Sequence, residues 1–275
     1  MSSQKLKTSL AWDIKAQPLF TITNQSTSAK AIMRNDDNRI LGIVSEKYKA
    51  FTNREHLKLC RSVEKIGPFK IEGFTELQKG KTVLAFLRNN QPDLKLAGLD
   101  VKEYLVIGNS HDGSRRLFVG SSQTLVRCEN QFYAIVPFMW AKHIHGVSVQ
   151  NDFVNGIRTQ YEAGRKQLYT QLETLSAKKV NHELVEDLLL YLLHSDKIDA
   201  SYSKKKEILQ SDAALNLLRC IDKETADLGH NAFGLFNGVT WYTTHAMRRN
   251  KDNFGNTSGL AQELNAKALE FCLQL

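Results

Sequence analysis

The chain has 275 residues, 42% of them hydrophobic and 24% charged, which is ordinary globular usage and excludes a largely disordered protein. Its net charge of +8 is one-sided: residues 1–150 hold 22 Lys and Arg against 13 Asp and Glu, whereas residues 151–275 hold 15 against 16. Four widely separated cysteines form no C-x-x-C, and no uncharged apolar stretch approaches the ~18 residues of a membrane span, so zinc-finger, dithiol-redox and membrane-spanning classes drop out.

The N-terminal segment MSSQKLKTSLAWDIKAQPLF lacks a continuous apolar core, so no export signal is expected and a reducing cytoplasm suits the free thiols. Residues 1–28 are expected to form an arm. From Ala29 to about Trp140 the pattern is strand-like: AKAIMR, RILGIVS, FKIEGFTEL, KTVLAFLRN, EYLVIGNS, RRLFVGSS and YAIVPFMW are short, rich in β-branched or aromatic residues and bounded by turn residues. One helix interrupts them, NREHLKLCRSVEKIG, with Asn53 expected as its cap and Gly67-Pro68 as its stop. Residues 29–150 therefore make a basic β-rich region.

Beyond residue 150 the period changes to that of helices. These are NDFVNGIRTQYEAGRKQLYTQLETLSAKK, NHELVEDLLLYLLHS, KKKEILQSDAALNLLRCIDKETADLG, GLFNGVTWYTTHAMRR and SGLAQELNAKALEFCLQL. Strands first and helices afterwards indicate an α+β fold: an antiparallel β-rich half with one inserted helix, then a helical half over 151–275. The last two regions can form one domain.

The segment GNSHDGSRRLFVG places Asp112-Gly113 between two apolar runs, a strong hairpin signal, because these residues accept positive φ in a tight turn. The plain expectation puts His111 and Asp112 on a solvated tip. Arg115 and Arg116 follow it, and on a strand only one of two neighbours faces each side. Further on, Arg127 and Lys142 alternate with Phe118, Phe132, Tyr133, Phe138 and Trp140. Single-strand binders need both kinds, cations for phosphates and aromatic faces for bases. Alternating strand aromatics are also ordinary core, so only some of these five are expected to be exposed.

Signatures of nucleotide-hydrolysing, dinucleotide-binding, zincin and serine-hydrolase enzymes are missing from the sequence, and nothing in it asks for a cofactor. A metal site would join His111, Asp112, His143 and His145, since H-x-H on a strand sends two imidazoles to one side. Cys128 beside Arg127 has the minimal setting of a nucleophile, although a cysteine in an apolar strand is ordinarily a small buried hydrophobe. Asn130 fits a local turn or cap. On the helix near Gly234, Asn237 is expected to make a buried polar bond, with backbone of the β-rich half as partner. His245 and the basic RRNKDNFGNTSG loop, with Arg248 and Arg249, offer a surface for phosphate.

Four ordered segments, ILGIVSEKYKAFTNREHL, GNSHDGS, VRCENQ and FGLFNGVTWYTTH, resemble the phage- and plasmid-like proteins grouped as domain of unknown function 932. The likeness runs from about Ile40 to Ala266. It departs at Gln131-Phe132, where members tend to carry Thr-Leu, and at Arg127, which here adjoins Cys128. The resemblance implies an intracellular protein encoded by a mobile element and no established reaction. With the basic β-rich half, the leading expectation is a non-catalytic protein that binds single-stranded DNA or RNA, assembles into homo-oligomers and uses no membrane. Arg115, Arg116, Arg127, Lys142, Arg248 and Arg249 would meet phosphate, and Tyr133 or Trp140 would stack on bases. The alternatives are a protein that binds a host factor through an exposed apolar patch, and a metal-dependent nuclease at the histidine cluster.

Overall fold

The computed structural model describes residues 10–92, 94–96, 99–125, 136–141, 151–193, 202–247 and 260–275. Among them the strands are β1 (Ile14–Phe20), β2 (Ser26–Arg34), β3 (Ile40–Ser45), β4 (Phe69–Leu77), β5 (Thr82–Asn89), β6 (Leu94–Leu96), β7 (Leu99–Ser110), β8 (Leu117–Leu125) and β9 (Val136–Ala141). The helices are α1 (Asn53–Ile66), α2 (Asn151–Ala177), α3 (His182–Leu193), α4 (Tyr202–Leu209), α5 (Asp212–Leu228), α6 (Ala232–Trp241) and α7 (Leu260–Gln274). The fold is α+β, strands with one inserted helix and then helices. Strands β1-β2-β3 form one sheet; β4-β5-β7-β8-β9 form another, with β6 paired to β7.

Two compact units divide the described residues. The first lies within 1–92, 103–121 and 136–163; the second lies within 93–102, 122–135 and 164–275. Within the first, the segment read from sequence as an arm contains β1, antiparallel to β2 from Ile14↔Arg34 to Phe20↔Ser26. Period-two alternation sends Ala85 and Leu87, Leu105 and Ile107, and Leu117 and Val119 to one face of the larger sheet. Leu59, Cys60 and Val63 of α1 and Val154, Ile157 and Tyr161 of α2 pack there.

Asn53 is not the cap of α1. Thr52 is: its side chain accepts from the Glu55 N–H, while Glu55 reaches back to the Thr52 N–H at 2.7 Å, a reciprocal capping box. Asn53 thereby becomes the first helical residue and is buried. A second difference concerns the segment read as one helix over 204–229. Ser211 ends α4 and starts α5, its hydroxyl accepting the Ala214 N–H at 3.2 Å.

In the second unit α6 is buried from Ala232 to Thr240, as befits a helix apolar all round. Gly234 and Gly238 lie on its side facing α5. A Cβ at Gly238 would stand 2.5 Å from the Ile221 Cα, and one at Gly234 would stand 3.2 Å from the Thr225 Cα. Only glycine allows the backbones so close. The helix then runs into a π-helical turn, Tyr242–Ala246. Gly238→Ala is expected to force α5 and α6 apart and cost about 1–3 kcal/mol in urea unfolding, as overpacked cores do. An unchanged midpoint would show that the pair tolerates separation.

Candidate nucleic-acid interface

The β7–β8 connection spans His111 to Arg116; its residues from Gly113 onward are exposed, but its first residue is not. His111 is fully buried, contrary to the expectation from Asp-Gly chemistry. Its backbone N–H donates to the Lys81 carbonyl at 2.8 Å, its Nε2 donates to Asn53 Oδ1 at 3.0 Å, and its ring meets Trp12 edge-on at 5.6 Å. The turn lies against β3. A Cβ on Gly42 would come within 2.7 Å of the Asp112 Cα, while Gly113, at φ +78°, sits beside Val44 and Tyr48. The Tyr48 hydroxyl donates to the Ser110 carbonyl at 3.2 Å.

Asp112 is half-buried and turned toward its own loop. Its Oδ1 accepts from the Ser110 hydroxyl at 2.6 Å and from the Ser114 N–H at 3.0 Å. Burial works against the charged carboxylate, but the bonds from Ser110 and Ser114, with Lys81 nearby, outweigh it and hold the pKa below the usual value. The same burial, with the Asp112 charge adding to it, pushes the Tyr48 hydroxyl up to about 12.

Behind the turn runs a buried polar chain. Asn109 Nδ2 donates to the Phe51 carbonyl at 2.8 Å and approaches His111 Nδ1 at 3.4 Å; Asn53 Nδ2 donates to the Trp12 carbonyl at 3.0 Å. His56 Nε2 donates to the Ile107 carbonyl at 3.1 Å. Burial, and secondarily the neighbouring His111, push the His56 pKa down to about 3, so its ring is neutral. Both His111 ring nitrogens are thus engaged by asparagines. No group of three or more His, Cys, Asp or Glu positioned for a metal occurs among the described residues. His143 and His145, the other proposed ligands, lie outside them, as do Cys128 and Asn130.

Arg115 and Arg116 both precede β8 and both are exposed, so the two-faced alternation expected of a strand does not apply to them. Neither forms an ion pair with a described residue. Trp140, 57% exposed on β9, is directly opposite Phe118, and Ala141 is opposite Leu117. Chain reach and strand pairing keep the Cα atoms of Arg116 and Trp140 within roughly 13 Å of one another. Phe118 is buried, its ring lying on the Gly108 backbone, and Phe138 packs partly buried against the core. Arg127, Tyr133, Lys142, Arg248 and Arg249 lie outside the described residues.

Asn237 is buried, and the partner of its amide among the described residues is a side chain of the same unit. Its amide donates to the Glu224 carboxylate of α5, the side chain that faces α6 where the glycines bring the helices together. Thr240 and Thr243 extend the polar row to Asn265, which accepts from the Thr243 hydroxyl at 2.9 Å. His245 lies in the π-turn against Trp241, ring centroids 4.7 Å apart, and the Lys223 ammonium is 4.5 Å from the Trp241 ring.

Antiparallel sheets with one helix inserted, followed by a helical part built around a buried Asn and Glu pair, define the class of protein. The chain belongs to the family described as Domain of unknown function (DUF932), which it matches over residues 40–265. No curated protein and no solved structure matches it. Among the described residues no helix is long and apolar enough to cross a membrane.

Two measurements check this arrangement. His56 stays neutral in the folded state down to about pH 3, whereas the unfolded imidazole takes up a proton near 6.5. Stability is therefore unaffected above that pH and falls as pH drops from about 6.5 toward 3, by up to about 1.4 kcal/mol per unit for this group. His56→Gln, which keeps a donor for Ile107, is expected to flatten the decline in urea melts; parallel declines would clear His56 of the effect. Asn237→Ala is expected to cost about 1–3 kcal/mol in thermal melts, since Glu224 loses a buried donor. An unchanged melt would assign the amide to binding instead.

Proposed function

We propose that this is a non-catalytic, cytoplasmic single-stranded-DNA-binding protein of a phage or plasmid, acting in strand annealing as an oligomer. One observation carries the reading: the turn anchored by His111 presents Arg115 and Arg116 to solvent, and strand register brings the exposed Trp140 beside them. Two exposed cations and one exposed indole are the minimal set for tracking phosphates and stacking a base without reading sequence. The basic surplus of residues 1–150 supplies the long-range attraction. RNA offers the same phosphates and bases, so it belongs in the test. A second reading, docking of a host factor, is favoured by the exposed apolar side chains Phe20, Ile22, Ile40 and Ile43.

Gel shifts with single-stranded DNA, duplex DNA and RNA at two salt concentrations, with and without divalent metal, decide between these readings. The expected result is binding of single strands without cleavage. Arg115→Glu with Arg116→Glu is expected to weaken binding and reduce the salt slope by about 0.7 per lost phosphate contact, with native circular dichroism. Trp140→Ala is expected to weaken binding at unchanged slope. Silence in every lane would favour a host factor, and metal-dependent cleavage would replace the reading with a nuclease.

A further inference from the structure

Beside the first turn of α1 the first unit opens a cavity of about 310 Å³. Leu57 and Phe74 contribute apolar wall, and Asp13, Asn35 and Arg54 contribute polar groups. The rim is held in place by the backbone. Asp13 Oδ1 accepts the N–H of Ile14 at 2.8 Å and of Asn53 at 2.9 Å, and the Asp13 N–H donates to Asn35 Oδ1 at 2.8 Å. Among the described residues no side chain or backbone group engages the second oxygen of the half-buried Asp13, or the Asn35 NH₂ and the Arg54 guanidinium, which are exposed at the mouth.

A molecule complementary to this lining has an apolar body, an N–H donor for the carboxylate, an acceptor for the Asn35 amide and an anion for the guanidinium. Nucleotides have this composition. The volume is at the small end of ligand pockets, about 300–1,000 Å³, which suits one base and its sugar. We propose that the cavity binds one nucleotide through an amino-bearing base, whose exocyclic amine donates to Asp13 while its phosphate meets Arg54. Adenine, cytosine and guanine carry that amine. Thymine and uracil present N3–H between two carbonyl oxygens, which would face the carboxylate and be repelled. Two sources supply this chemistry, a free nucleotide or a base within a strand; only the second rests on the single-strand reading.

The test uses the full chain with dAMP, dCMP and dTMP in calorimetric titration, and with short homopolymers of dA, dC and dT in fluorescence anisotropy. The adenine and cytosine ligands are expected to bind severalfold more tightly than the thymine ones. Asp13→Asn keeps an oxygen for the two backbone N–H groups and replaces the other by an amide, so the fold is retained. It is expected to erase the base preference without changing the salt slope. Arg54→Gln is expected to weaken monophosphates severalfold while leaving the nucleosides unchanged. Equal binding of all three bases, or a preference that survives Asp13→Asn, would overturn the pocket. Strand binding through Arg115 and Arg116 with no base preference sinks the pocket alone. Mononucleotide preference without strand binding upholds the pocket and sinks the strand reading.

Discussion

The hydrogen bond from the His111 imidazole to the Asn53 side chain, shut away from water, organises the first unit. Asn53 makes three such contacts at once: it accepts from His111, donates through Nδ2 to the Trp12 carbonyl and donates through its backbone to Asp13. The first turn of α1, the segment before β1 and the β7–β8 turn are thereby joined at one residue. Each group would be left unsatisfied if its neighbour moved, at about 1–3 kcal/mol apiece. His56, close by, is kept neutral by its burial and secondarily by the neighbouring His111.

The exposed groups depend on this buried anchor. His111 is turned inward and Asp112 is bonded within its own turn, and Arg115 and Arg116, which follow this held segment, are exposed. Trp140 is placed by the β8–β9 ladder, so cation and indole come from separately held elements. The cavity shares the anchor, since the Asn53 N–H fixes one Asp13 oxygen while no described residue engages the other.

The second unit follows a comparable rule with different residues. Gly234 and Gly238 remove the side chains that would separate α5 from α6, and across that close approach the Asn237 amide meets the Glu224 carboxylate. A carboxylate with 3% exposure is tolerated only when hydrogen-bonded. The Thr240, Thr243 and Asn265 row continues the polar seam through an otherwise apolar bundle.

Periodicity and turn chemistry were sufficient for the class of fold, for seven of the nine described strands and for the helical second half, because alternation and amphipathic spacing are local properties of the chain. The T-N-R-E capping box was also present in the sequence, and reading it would have freed Asn53 from the role of cap. β1 escaped notice because its polar, proline-containing run, IKAQPLF, has little apolar patterning and is stabilised by pairing with β2. His111 looked like a solvated tip residue because Asp-Gly specifies a turn and says nothing of what the turn packs against. The bonds from His111 to Asn53, 58 positions earlier in the chain, and from Asn237 to Glu224 on another helix are non-local pairings, and non-local pairings are decided only when the elements come together. Exposure of Arg115, Arg116 and Trp140 belongs to the same category: their residue types can be read from the chain, but which of them face solvent was settled by tertiary packing.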